Sequence, residues 1–267
     1  MKKLFLLAAS ALVVLSCNTK STSPNGEETT AKRELKTQVF SYEKSDNRAN
    51  VKLSIEMPVG GDEELGEIIY DFILEKLTDD HDCSDDLSVY RNDGQGLVDL
   101  FGGWKYDVVN EEWESFNEDL EPENQVTFLD EATLSIVENN DKYVTCLYET
   151  ESFNGADGYW AKKGVTFLKS DCSRVTNDFL FKDPKSPELV KVLRDDLIAK
   201  YCSGVEADWD EPDVETVESV LDEPFYVTSK GLAYFYRRPL VFFQNVAGVL
   251  PWDKVKDLLT DEAKELF

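Results

Sequence analysis

Two segments early in the chain alternate apolar with polar residues, the pattern of strands that bury one face. They are Thr37 to Tyr42 and Ala49 to Met57, and turn residues at Asp46-Asn47 join them. From Asp62 onward the apolar positions change to helical spacing, with acidic residues in the first turn. The pattern therefore predicts two strands followed by an amphipathic helix. The helical stripe consists of Leu65, Ile68, Ile69, Phe72, Ile73 and Leu77.

A second helical pattern runs from Leu97 to Leu120, although Gly102-Gly103 weakens it. The spacing then returns to that of strands, with turn residues between the segments. This pattern predicts an antiparallel meander. Its predicted strands are Gln125 to Leu129, Ala132 to Val137, Lys142 to Tyr148 and Tyr159 to Leu168.

The third helical pattern begins at Ser186-Pro187, a cap followed by a first-turn proline, and continues to Tyr201. The acidic segment from there to Asp222 is predicted to be a linker. It leads to residues 224–267, which hold the densest run of β-branched and aromatic residues in the chain. We expect this stretch to supply the central strands of the main core.

Within that stretch, Tyr226 to Thr228 and Leu232 to Tyr236 are predicted strands on either side of a turn. Val241 to Gln244 is predicted to be extended, and a helix is predicted from Trp252 to Leu259. The predicted strands and helices are segregated along the chain and do not alternate as β-α-β units. The fold class is therefore α+β, with antiparallel sheets and helices packed on one face.

The N-terminus has the features of an export signal. Met1-Lys2-Lys3 precedes a short apolar run from Leu4 to Leu15, too short to stay as a spanning helix. Ser16 and Cys17 then resemble a bacterial lipobox, in which Cys17 carries the lipid and becomes the first mature residue. The alternative is an ordinary signal peptide with a coincidental cysteine.

Residues 18–36 have the polar composition of a flexible tether. Asn18 stands where an aspartate would, in some bacteria, retain a lipoprotein in the inner membrane. We therefore expect an exported protein that its lipid anchors in the cell envelope, at the outer membrane of a Gram-negative bacterium.

The charge of the chain excludes several partners. With 28 basic and 54 acidic residues, a net charge of -26 repels nucleic acids and anionic membrane surfaces. The ordinary interpretation of this acidity is a solubilising surface, and the alternative is a surface that binds a basic protein. Residues 92–96 and 206–211 are rich in oxygen ligands but lack the alternating spacing of a Ca²⁺ loop. We predict no metal site and no cofactor.

Four cysteines besides Cys17 would allow two disulfides in an exported protein, in any of three pairings. The sequence does not choose among the pairings. A zinc site is disfavoured because these cysteines are far apart. The four are Cys83, Cys146, Cys172 and Cys202.

Catalytic motifs are missing from the sequence. The one histidine, His81, lies between two aspartates in an acidic loop, and no nucleophile motif accompanies it. We therefore predict no catalytic residue, although carboxylate pairs of the glycosidase type stay open in a chain so rich in acids. Arg237 and Arg238, beside Tyr236 and other aromatic residues, would suit an anionic or carbohydrate-like ligand. The alternative is that these arginines pair with the protein's own carboxylates.

Several short motifs resemble a known family. Residues 153–158, 164–168 and 177–181 are similar to the hairpin and following turn of the extracytoplasmic RsiV-like domain of unknown function. Residues 231–236 and 247–252 resemble the C-terminal strands and helix of that domain. The strands and helix from Gln38 are similar to its companion domain, which also stands beside PdaC-type polysaccharide deacetylases. The resemblance implies two regions, a PdaC/RsiV-like region at 37–121 and an RsiV-like domain at 122–267.

This resemblance implies an α+β envelope domain that binds a ligand, lysozyme in the case of RsiV itself. Two departures limit the transfer: Asp157 replaces a usual histidine, and residues 239–242 lack a usual acid. Neither anti-sigma nor deacetylase activity is implied. The first hypothesis is a non-catalytic envelope lipoprotein that binds a protein, such as lysozyme, or a cell-wall glycan. The alternatives are a carboxylate-based polysaccharide hydrolase and a structural accessory of an outer-membrane complex.

Overall fold

The computed structural model describes residues 33–79, 86–201, 214–236 and 245–267. From residue 32 onward the chain forms one compact unit. It contains a five-stranded and a three-stranded sheet with helices, so the predicted α+β class with mainly antiparallel strands is confirmed. The predicted signal peptide and most of the predicted tether lie outside the described residues. No helix in the described ranges has the length and apolar character needed to cross a membrane.

The first layer of the fold follows the alternating pattern closely. Strands β1 (Leu35–Ser45) and β2 (Ala49–Gly61) pair antiparallel, and β2 buries every second side chain. The last two residues of the predicted tether belong to β1. Helix α1 (Glu63–Thr78) begins at once because the Asp62 carboxylate accepts a hydrogen bond from the Leu65 amide at 2.9 Å.

Helix α2 (Gly94–Asn117) is continuous through the two glycines that weaken its pattern. A Cβ atom on Gly102 would lie 2.3 Å from the ring of Tyr42 on β1. Gly102 is therefore the residue that lets helix and strand approach each other. The cost of glycine in a helix, about 1 kcal/mol, is offset by this close packing.

The large sheet continues with β3 (Phe128–Asn139), β4 (Tyr143–Phe153) and β5 (Gly158–Leu168), in the order β1-β2-β3-β4-β5. The two short strands predicted between residues 125 and 137 are one strand, β3. It pairs parallel to β2, whereas all other neighbours in the sheet are antiparallel. Because a parallel pair needs a crossover, α1 and α2 form the connection. The regions 37–121 and 122–267 thus share one sheet.

The second sheet consists of β6 (Tyr226–Thr228), β7 (Gly231–Tyr236) and β8 (Val246–Pro251). Its strand β6 is hydrogen-bonded to the large sheet by two buried threonines. Thr145 on β4 donates to the Val227 carbonyl at 2.7 Å, and the Val227 amide donates to Thr166 on β5 at 2.8 Å. Leu53, Ile55 and Met57 of β2 pack with residues of α1 and α2. The large sheet therefore lies between a helical layer and the small sheet.

The C-terminal core corrects two predictions. The segment predicted as an acidic linker contains α5 (Val214–Asp222), because Val217, Val220 and Leu221 form a buried stripe among the acids. The helix predicted to reach Leu259 ends at Val255, as α6 (Trp252–Val255). The strands of this stretch span three to six residues each, and their apolar side chains lie in a large buried cluster, as predicted for core strands.

The remaining helices cover this small sheet. Their apolar residues join those of β6, β7 and β8 in one cluster of buried side chains. The predicted helix after Ser186-Pro187 is confirmed within one residue. These helices are α3 (Asn177–Leu180), α4 (Pro187–Tyr201) and α7 (Asp261–Lys264).

Candidate functional site

Most of the residues predicted as sites lie outside the described part of the chain. Tyr236 ends β7, but its side chain is not described. Its role and those of the two arginines after it stay predictions. The predicted residues outside the described ranges are Cys17, His81, Cys83, Cys202, Arg237 and Arg238.

The two described cysteines, Cys146 and Cys172, are buried free thiols. Burial raises the pKa of Cys146 to about 12, so this thiol is an unreactive part of the core. Cys172 has a φ of 60° and its Sγ accepts a hydrogen bond from Arg33 Nη1 at 2.8 Å. Neither cysteine is bonded to the other, and the pairing of the four cysteines stays a prediction.

The oxygen-rich loop at residues 92–96 has a structural role. Asp93 caps α2, because its Oδ1 accepts a hydrogen bond from the Gly96 amide at 2.9 Å. Within the described ranges, no group of three histidine, cysteine, aspartate or glutamate side chains converges to hold a metal ion.

Among the described residues, the strongest candidate for a binding site is a cleft of about 500 Å³. It opens where the C-terminal end of α1 meets β4, β5, β6 and β7. Phe235 on its wall directly precedes Tyr236 in the sequence. Six aromatic side chains line it: Phe72, Tyr148, Tyr159, Phe225, Tyr226 and Phe235.

A row of alternating charges forms one wall of this cleft. Lys76 of α1 is only 8% exposed and lies 2.8 Å from Glu75 and 2.7 Å from Asp79. Glu75 also contacts Arg174 at 2.9 Å, and Asp79 contacts Lys163 of β5 at 3.0 Å. We call these five residues the charge row. Its two ends are cations, and both are about half exposed.

The two carboxylates of the charge row are held in the ionised form. Burial alone would raise the pKa of Glu75, but hydrogen bonds from Arg174 and Lys76 outweigh it, so the pKa is lowered. The pKa of Asp79 is lowered in the same way by Lys76 and Lys163. A general acid for glycoside hydrolysis needs a raised pKa. These two acids can therefore hold neighbouring cations in place or contact a ligand, but they are not suited to donate a proton.

A second surface concentrates acids that have few partners. Seven exposed carboxylates lie near the C-terminal end of α2, all within seven sequence positions of Phe116, whose side chain is 44% exposed. Arg48 neutralises one of them, Glu114, at 2.6 Å. A helix C-terminus disfavours negative charge, so this arrangement is costly for the helix. We call it the acidic face: Glu111, Glu112, Glu114, Glu118, Asp119, Glu121 and Glu123.

The sequence alone does not reveal the cleft, because its lining comes from segments far apart in the chain. One available signal is the pair Lys162-Lys163 in the middle of a strand of so acidic a protein. Arg174, close behind it, is a second signal.

Similar proteins are found by structure and not by sequence: no family model and no curated protein matches the chain. A DUF3298 family protein from Bacteroides fragilis has a TM-score of 0.55 at 12% identity, covering 86% of this chain and 96% of its own. A DUF3298 family protein from Pseudomonas aeruginosa has a TM-score of 0.51 at 12% identity, covering 87% and 97%. At such identities the similarity concerns the fold. The chain thus has the fold of solved DUF3298 structures, domains of unknown function.

Proposed function

We propose that this chain is a non-catalytic lipoprotein of the cell envelope whose folded part binds a cell-wall glycan in the cleft. The lipid on Cys17 would hold the domain near the wall, as the sequence motif predicts. The similarity to DUF3298 structures concerns the fold and leaves the function open.

The observation that carries the proposal is the combination of aromatic walls and charged groups in one cleft. Tyr159 is 38% exposed, and the ring of Phe235 lies 5.6 Å from that of Trp160, edge to face. A sugar ring has an apolar face that packs on such aromatic rings and hydroxyls that bond to charged side chains. The cleft volume is within the range of ligand sites, roughly 300 to 1,000 Å³.

The test is co-sedimentation of the purified protein with insoluble cell-wall sacculi. We expect the protein to sediment with the sacculi and the Tyr159→Ala variant to lose most of this binding. Phe116→Ala is the matched control, because it removes an exposed aromatic side chain outside the cleft lining and should bind like the wild type. Equal sedimentation of the Tyr159→Ala variant would contradict the proposal.

A second candidate is supported by the acidic face, which suits a strongly basic protein such as lysozyme. Exposed Phe116 would be the apolar anchor and the carboxylates would steer the partner. Lysozyme capture should then weaken several-fold from 50 to 300 mM salt and fall in Phe116→Ala, with Tyr159→Ala as the control. Lysozyme capture that changes neither with the salt concentration nor in the Phe116→Ala variant would exclude this candidate.

A further inference from the structure

We propose that the glycan bound in the cleft carries a carboxylate, which the guanidinium of Arg174 binds, while Lys163 at the other end of the charge row adds positive charge to the cleft and Tyr226 bonds to the sugar. This inference rests on the proposed function, since it names the class of glycan that the same cleft takes. Three observations support it: a tyrosine hydroxyl without a hydrogen-bond partner among the described residues, cations at both ends of the charge row, and the charge of the lining.

Tyr226 is the first observation. Its side chain lines the cleft and is only 7% exposed, and its ring lies against Gly164, where a Cβ atom would be 2.2 Å away. Among the described residues its hydroxyl has no hydrogen-bond partner. This hydroxyl is not fully buried, so it can take a partner from the cleft. A ligand in the cleft would supply it.

The charge row is the second observation, because both of its ends have donors to spare. Arg174 donates one side-chain hydrogen bond within the described structure, from Nη2 to Glu75, and a guanidinium has five N–H groups. Lys163 donates one, to Asp79, and an ammonium group has three. The acids between them fix the positions of these cations without using all of their donors. A carboxylate would bind the planar fork of the guanidinium through both oxygens.

The charge of the lining is the third observation. The whole chain has about two acids for each base, yet four cations and three acids line this cleft. All three lining acids are exposed, and Lys162 pairs with Glu149 across the sheet. An anion therefore meets far less repulsion here than elsewhere on the protein. The lining charges are Lys76, Lys162, Lys163, Arg174, Glu75, Asp79 and Glu223.

Calorimetry with three disaccharides tests the inference. The first is N-acetylglucosamine linked to N-acetylmuramic acid, the second is the same disaccharide with its carboxyl amidated, and the third is galacturonic acid disaccharide. We expect at least one acidic disaccharide to bind, with the amide about tenfold weaker than its acid, as for one charge-assisted contact. Preference for the muramic or the galacturonic form identifies the source of the carboxylate, and either preference supports the inference.

The variants separate the roles of the residues. Arg174→Gln should weaken the acidic disaccharide about tenfold and leave the amide unchanged. Lys163→Gln should do the same to a smaller extent, and it is the safer variant for folding because Lys163 is 53% exposed. Tyr226→Phe should weaken both forms several-fold. Lys191→Gln, an exposed charge change on α4, is the control and should change neither.

The failures of the two proposals are distinguishable. Equal affinity for the acid and the amide would overturn the carboxylate inference while sugar binding in the cleft stands. Binding of sacculi without binding of any acidic disaccharide would also overturn it. Absence of binding to sacculi and to all three disaccharides would overturn both proposals.

Discussion

The charge row and the acidic face use the same residue types in opposite ways. In the charge row each acid lies between two cations at 2.7 to 3.0 Å, and the central lysine is buried. On the acidic face, seven exposed acids share the end of one helix, and Arg48 pairs with one of them. Paired charges such as those of the charge row fix the positions of side chains in a site. Exposed charges of one sign, such as those of the acidic face, produce an electrostatic field around the protein. Net charge alone therefore does not say where a ligand binds.

The largest expected effect is the loss of the central cation. Lys76→Met leaves Glu75 and Asp79 without their shared partner and brings two negative charges together on a partly buried wall. We expect the free energy of unfolding to fall by about 2 kcal/mol, less than for a fully buried pair because both acids are partly exposed. Urea denaturation measures it, with Lys191→Met, at a 75% exposed site, as the control. A change below about 0.5 kcal/mol would mean that the row does not stabilise the fold.

A smaller effect on the free energy of unfolding is expected when the pH is lowered, because the two acids of the charge row then become protonated. The folded pKa values of Glu75 and Asp79 lie below their ordinary values of 4.5 and 3.8. A lowered pKa contributes stability that is fully present above the ordinary value and is lost as pH falls through the folded value. The stability gap between wild type and Arg174→Gln should therefore narrow as pH falls from 6 towards 3. A gap that is constant over this range would contradict the pairing of Glu75 with Arg174.

The smallest effect is expected at the acidic face, and it has the opposite sign. Glu118→Gln combined with Asp119→Asn removes two negative charges beside a helix C-terminus. We expect the free energy of unfolding to rise by about 0.5 kcal/mol at low ionic strength and the gain to vanish at about 0.5 M salt. Thermal unfolding at the two salt concentrations measures it. Destabilisation at low salt would show that these acids have partners in the folded state.

The sequence predicts those strands and helices whose hydrophobic pattern lies within one short segment of the chain. The alternation in β2 and the stripe of α1 are each contained within about fifteen residues, and the structure confirms both. The parallel pairing of β2 with β3 is not a local property, so the segregated pattern pointed to antiparallel strands only. The sequence pattern does not predict helix α5, because acids dominate its composition and only three buried apolar residues mark the helical spacing.

The cleft is less predictable still. In the sequence, Lys76 cannot be distinguished from the other polar residues of an amphipathic helix. Only the folded structure shows that it is buried between two acids. The sequence predicts Tyr226 as a strand residue, but the absence of a hydroxyl partner among the described residues depends on what surrounds it in three dimensions. Arg237 and Arg238, which the sequence favoured, lie outside the described residues, so their relation to the cleft stays open.

The parallel pairing of β2 with β3 also has a kinetic consequence. Lys52 on β2 and Glu131 on β3 are joined by an ion pair at 2.7 Å and stand 79 positions apart. Such a contact closes a long loop, and contacts of this kind slow folding. Strands β1 and β2 alone would form a two-stranded ribbon, which is marginal in water without further packing. The N-terminal region should therefore reach its full protection against proteases only after β3 has joined the sheet.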